Sequence, residues 1–158
     1  SGNALADSRT FFKMKIFKII SSLFQSKKTT NEEILIIQKE GAELAVECAR
    51  AYNFKLDYSD DSLKKLDKLL TIFGNEYLET KNKSSFESFA LTFGLYIIEV
   101  MERNHGKGYL ERRLLGIETD NFPYYWKGNL IFPCIWCLNR IFKSDADNVW
   151  EMYNKVIS

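Results

Sequence analysis

The residues best equipped for chemistry are Cys134, Cys137, Glu99 and His105. Cys134-Ile135-Trp136-Cys137 has the spacing of a redox pair, in which a helix start lowers the pKa of one thiol. A zinc site built on the same pair needs two further ligands. Only Cys48 and His105 are on offer, and no second closely spaced pair exists in the chain. Thioredoxin-type enzymes place their cysteines after a strand within a βαβ pattern, which is absent around Cys134. Both sulfurs are therefore read as small apolar groups packed beside Ile135 and Trp136. No metal and no cofactor is expected.

Glu99 is the only formal charge between Glu87 and Glu102 in an otherwise apolar stretch. A carboxylate buried there without a partner would be strongly unfavourable, so it must be paired, hydrogen-bonded or turned to a cleft. A structural ion pair with Arg112, Arg113 or Arg140 is the expected arrangement, with an emergent surface face or a catalytic role as the alternatives. His105 is the only histidine, which excludes any mechanism needing two imidazoles. It lies beside a helix stop, where a cation suits the dipole. His105-Gly106-Lys107-Gly108 lacks the frame of a phosphate loop, and no G-x-S-x-G stretch is present. Asp57, Asp60 and Asp61 resemble half a calcium loop, but the Gly and distal Glu do not follow, and a helix N-terminus accounts for them better.

Phe122-Pro-Tyr-Tyr-Trp126 is dense in aromatics. Strand alternation prevents Tyr124, Tyr125 and Trp126 from all facing the core of one small hairpin. These three and Lys127 at the adjoining turn are the expected partner-binding residues, an exposed aromatic side being the usual composition of a binding hot spot.

The element that must position these groups is a helix from Ser84 or Ser85, as cap, to His105. Phe86, Phe89, Phe93, Ile97 and Val100 form one stripe and Leu91, Leu95 and Ile98 another, so the helix is apolar nearly all round and is predicted to be buried at the centre. It is too short and too interrupted to span a membrane. A preceding helix, capped by Thr30 or Asn31 and running to about Tyr52, carries small residues at Gly41, Ala42, Ala45, Cys48 and Ala49. They are predicted to meet Ala90 and Gly94 of the central helix. A third helix after Ser59-Asp-Asp-Ser62 has Leu63, Leu66, Leu70, Phe73 and Tyr77 inward, with Lys64, Lys65, Asp67 and Lys68 as its solvated side.

Gly106 marks a helix stop in the left-handed conformation. Beyond it, Tyr109 to Ile117 reads as a strand. Tyr124 to Trp126 and Leu130 to Phe132 read as a hairpin around Lys127-Gly128-Asn129. Pro133 opens a helix through Phe142, and Ser144-x-x-Asp147 approximates a capping box for a last helix with Val149, Met152, Tyr153 and Val156 inward. The fold class is α+β and mainly α: a helical N-terminal half around a buried central helix, a small antiparallel sheet, then C-terminal helices. Residues 31–158 are expected to form one globular domain, and residues 1–30 an N-terminal extension with a polar linker, Gln25 to Thr30.

Within that extension, Phe11 to Phe24 interleaves Lys13, Lys15 and Lys18 with a face of Ile16, Ile19, Ile20, Leu23 and Phe24. Docking on the body, lying on a membrane surface and serving as a signal are its three readings. Ser1 to Lys13 reads in part as upstream sequence, since Met14-Lys15 makes a natural start. The formal net charge of +1 gives no global field to recruit nucleic acid or an anionic membrane. An odd count of 3 cysteines argues against a disulfide framework and for a reducing compartment, the cytoplasm, with peripheral membrane contact through residues 11–24 as the variant.

The layout, a Phe93-Gly-Leu-Tyr-Ile-Ile-Glu99 central helix followed by a short sheet holding Phe122-Pro-Tyr-Tyr-Trp-Lys-Gly-Asn-Leu-Ile-Phe-Pro133, resembles small bacterial immunity proteins encoded beside polymorphic or contact-delivered toxins. The resemblance runs from Asn31 to Ile157 as a pattern and gives no single residue a role. It implies a non-catalytic binder that blocks a cognate toxin. The alternatives are a small enzyme using Glu99 or the Cys134/Cys137 pair, and a membrane-surface accessory protein.

Overall fold

A computed structural model describes residues 31–111, 122–143 and 145–158. In chain order these form α1 (Asn31–Ala51), α2 (Ser62–Thr80), α3 (Lys83–His105), β1 (Tyr109–Leu110), β2 (Tyr124–Trp126), β3 (Asn129–Ile131), α4 (Pro133–Phe142) and α5 (Val149–Ile157). The fold is α+β and mainly α, as expected. The N-terminal extension with Thr30, the side chain of Asn31, the strand beyond Glu111 with Arg112 and Arg113, and Ser144 lie outside what is described.

The central helix is α3, because its side chains are apolar on every side and each side meets a neighbour. Phe86, Phe89, Phe93, Leu95, Ile97, Ile98, Val100 and Met101 are all buried. At roughly 1.5–3 kcal/mol for each large apolar side chain removed from water, this one helix supplies much of the driving force for folding. Phe73 of α2 sits at the hub of an aromatic cluster, stacked on Phe89 at 4.8 Å and edge-on to Tyr52 at 5.1 Å.

Small residues do set the approach of the helices, at Gly41 on α1 as predicted but not with Gly94 as its counterpart. Gly94 faces α4: a Cβ there would stand 2.3 Å from Cys134 Sγ and 2.5 Å from its Cα. The close approach of α1 to α3 is at Gly41, where a Cβ would meet Leu95 Cδ1 at 2.4 Å. A helix that is apolar nearly all round packs on more than one neighbour, so spacing alone does not assign its small residues to a partner.

Asp67 corrects a second expectation. It is only 5% exposed, not solvated. Its carboxylate accepts from Arg140 Nε at 3.0 Å and Nη2 at 3.1 Å, from Asn148 Nδ2 at 2.8 Å and from the Val149 N–H at 2.9 Å. One buried carboxylate thus joins α2, α4 and the start of α5, with both oxygens satisfied as a buried charge requires.

The caps of α3 and α5 differ from the sequence reading, while that of α2 falls within the expected Ser59–Ser62 run. Asn82, not Ser84 or Ser85, caps α3 by accepting from the Ser85 N–H at 3.5 Å. Asn148 caps α5 by accepting from the Trp150 and Glu151 N–H groups. Ser59, Asx-turned onto Asp57, accepts the Ser62 N–H at the head of α2. Gly106 ends α3 at φ 100° and ψ 166°, a positive-φ conformation open to glycine although not the left-handed helical one.

The three strands form an antiparallel sheet in the order β1-β2-β3. Its hairpin turn is Lys127-Gly128, with φ of 44° and 85°. Asn129, expected in the turn, pairs with Trp126 in the ladder. A two-residue turn with positive φ at both positions matches the twist of the flanking strands.

Candidate functional site

Two features of the sheet region deserve the name of a candidate site: a polar network where α1, α3 and the sheet meet, and the outward row of the sheet. The network begins at Gln38 of α1, which is buried. Its Nε2 donates to Glu99 Oε2 at 3.1 Å and to Glu102 Oε2 at 2.9 Å, so one amide bridges two carboxylates one turn apart on α3. Glu99 Oε1 accepts from Arg103 Nε at 3.0 Å, and the Arg103 guanidinium lies 3.6 Å from the Tyr58 ring centroid. The Tyr124 hydroxyl donates a short hydrogen bond to Glu102 and accepts from the Gly108 N–H at 2.9 Å.

Burial, then the bond to Glu102 and its negative charge, push the Tyr124 hydroxyl well above the usual tyrosine range. Gly108 is required where it stands, because a Cβ would lie 2.4 Å from the Tyr125 carbonyl oxygen. The ion-pair partner of Glu99 is therefore on its own helix, and Arg140, expected to reach it, is held by Asp67 instead. The other two expected partners, Arg112 and Arg113, lie outside the described residues.

Beside this network a groove of about 590 Å³ opens between the first turns of α1, the end of α3 and the strands β1 and β2. Ile34, Leu35, Tyr109 and Leu110 give it apolar walls, and Gln38, Glu102 and Tyr124 a polar floor.

The outward row is carried by strand alternation. Tyr124 and Trp126 are 1% and 3% exposed, and Trp126 Nε1 donates to the Gly106 carbonyl at 2.9 Å. Both were expected in the anchor patch; both instead point into the core, because they share a face of β2. Tyr125 points the other way. Its register partners are Tyr109 on β1 and Leu130 on β3, so one residue from each strand forms a row across the sheet. Tyr109 and Leu130 are 56% and 39% exposed, and the Tyr109 and Tyr125 rings lie 5.3 Å apart. At the turn Lys127 Nζ stands 4.5 Å from the Trp126 ring centroid. Sequence reasoning placed Tyr125 and Lys127 in the patch and missed Tyr109 and Leu130. The missing signal was strand register, which brings distant residues opposite one another.

The remaining chemistry-bearing residues lie elsewhere. Cys134 and Cys137 are fully buried, and burial pushes the Cys137 thiol well above its ordinary value, so thiolate chemistry is disfavoured there. The Cys134 thiol points at the Leu91 carbonyl, 3.6 Å away. His105 contacts Asp60 Oδ2 through Nε2 at 2.7 Å, and Asp60 Oδ1 accepts from the Tyr153 hydroxyl at 2.6 Å and from Asn104 Nδ2 at 3.2 Å. His105 thus locks the end of α3 to the loop before α2 and to α5, beyond the helix-end role expected of it. No group of metal-ligating residues occurs among the described residues. No described helix is long and apolar enough to cross a membrane.

Compared with known proteins, the chain matches no family model, no curated protein and no solved structure.

Proposed function

We propose that this chain is a non-catalytic protein-interaction module that binds its partner through the outward face of the sheet. The observation that carries the reading is the row Tyr109–Tyr125–Leu130, three large apolar side chains side by side on three paired strands. Rings of this kind at a surface favour coverage by a partner, since each offers a large rigid contact area with a polar tip. Lys127 and Asn129 flank the row at the turn and supply polar rim contacts.

The finer assignment is an immunity protein that neutralises a cognate toxin. It follows from the resemblance in layout, a central buried helix feeding a short aromatic sheet. The buried cysteines and the pairing of Glu99 with Arg103 favour this binder over an enzyme acting through those groups. The test is a pull-down from the native host with the full chain as bait, followed by calorimetry with the captured protein. Capture of a toxin encoded immediately upstream supports the assignment. Capture of a partner whose affinity is indifferent to the row removes it.

A further inference from the structure

The groove beside the sheet has apolar walls that end in exposed aliphatics. Leu35 is 57% exposed and Ile36 54%, both in the second turn of α1. Its floor carries a charge with no counter-ion among the described residues. Glu102 is held by neutral donors, Tyr124 and Gln38, and makes no ion pair among the described residues. A good occupant therefore presents branched apolar side chains together with a cation.

The chain's own sequence contains such an occupant a few residues before α1. Phe11–Phe24 places Ile16, Ile19, Ile20, Leu23 and Phe24 on one helical face, with Lys13, Lys15 and Lys18 interleaved. It joins α1 through Gln25–Thr30, which spans up to about 20 Å when extended. Leu35 lies only about 6 Å along the helix axis from Asn31, so the tether is ample. Tethering also gives the segment an effective concentration in the millimolar range, well above that of any free competitor of similar chemistry. Lys107 and Glu111 also line the groove.

We infer that the groove is the docking site of Phe11–Phe24, seated with its isoleucine face on Ile34 and Leu35 and a lysine towards Glu102. This inference does not depend on the binding role of the sheet row, which lies outside the groove except for Tyr109.

Hydrogen exchange read by mass spectrometry on the full chain tests it. An isolated helix of this length is marginal in water, so amides of residues 11–24 should exchange at least about tenfold slower than in the free peptide only if the segment is docked. Leu35→Asp, at an exposed position that leaves the core intact, should return them to within about threefold of the free-peptide rate. Ile20→Asp should do the same from the segment's side, and it keeps the test valid should Leu35→Asp fail to fold. Protection that survives Leu35→Asp in a folded variant would overturn the assignment, because the segment would be seated elsewhere. Absence of protection in the parent would overturn it too, and protection gained only with phosphatidylglycerol vesicles would mark the segment as a membrane-surface element. Leu35-dependent protection found in residues 112–121 and not in 11–24 would give the groove to that segment and contradict the inference.

Discussion

At the scale of single residues the molecule separates charges that hold it together from charges that decorate it. Asp67 belongs to the first kind. Asp67→Ala would leave the Arg140 guanidinium without its bidentate partner and free two further donors, at an expected cost of about 3–5 kcal/mol in chemical denaturation. Asp67→Asn keeps the shape and part of the bonding, and should cost less. Glu99 is held less deeply, by Arg103 on its own helix and by Gln38 of α1. Its Arg103 partner is half exposed on the same helix and rests on the Tyr58 ring, so Glu99→Ala should cost only about 1 kcal/mol. The ranking of these two acids was not legible in the sequence. Asp67 has lysines on both sides and Glu99 apolar residues, yet burial depends on which neighbour covers each helix face. Arg140 and Asn148, far along the chain, decide it for Asp67.

Between elements, tight approaches and satisfied hydroxyls do the joining. Gly94→Ala should lower stability by about 1–3 kcal/mol, because its Cβ would press on the Cys134 backbone, which cannot swing aside like a flexible side chain. An unchanged denaturation midpoint would show that α3 and α4 separate at little cost. The tyrosines supply a pH dependence. Tyr96, bonded to Ser62 Oγ at 2.7 Å and to the Tyr58 N–H at 3.0 Å, is pushed up by burial from 10.0 to about 12, and Tyr124 and Tyr153 are raised as well. A hydroxyl whose pKa is higher in the folded state binds its proton more tightly there. Its stabilisation is complete below pH 10 and is lost as pH rises through the folded value. Stability should therefore fall between about pH 10 and 12, with Tyr96→Phe showing a shallower fall in a pH series of thermal melts. The helices, their order and the burial of α3 were readable from apolar periodicity. The pairing of small residues and the caps at Asn82 and Asn148 were not, since several adjacent residues can each cap a helix and only the chain direction before it selects one.

On the scale of the whole molecule, the proposed binding surface is one that no single segment contains. Tyr109, Tyr125 and Leu130 come from three strands and become neighbours only through register. The sequence marked the aromatic hairpin as the region of interest, and alternation then removed Tyr124 and Trp126 to the core. Because Tyr109 is exposed and Tyr125 half-buried on the outward face, their loss should cost folding little, unlike Tyr124→Ala, which empties a buried site and breaks the Glu102 bond, at about 3–5 kcal/mol. The most direct measurement is isothermal calorimetry of the captured partner against the parent chain and Tyr125→Ala, with thermal melts of both. The expected result is an affinity weaker by about 2 kcal/mol or more, roughly thirtyfold, at an unchanged melting temperature. An affinity equal to the parent's in a folded Tyr125→Ala variant would contradict the assignment of the outward sheet row as the binding surface.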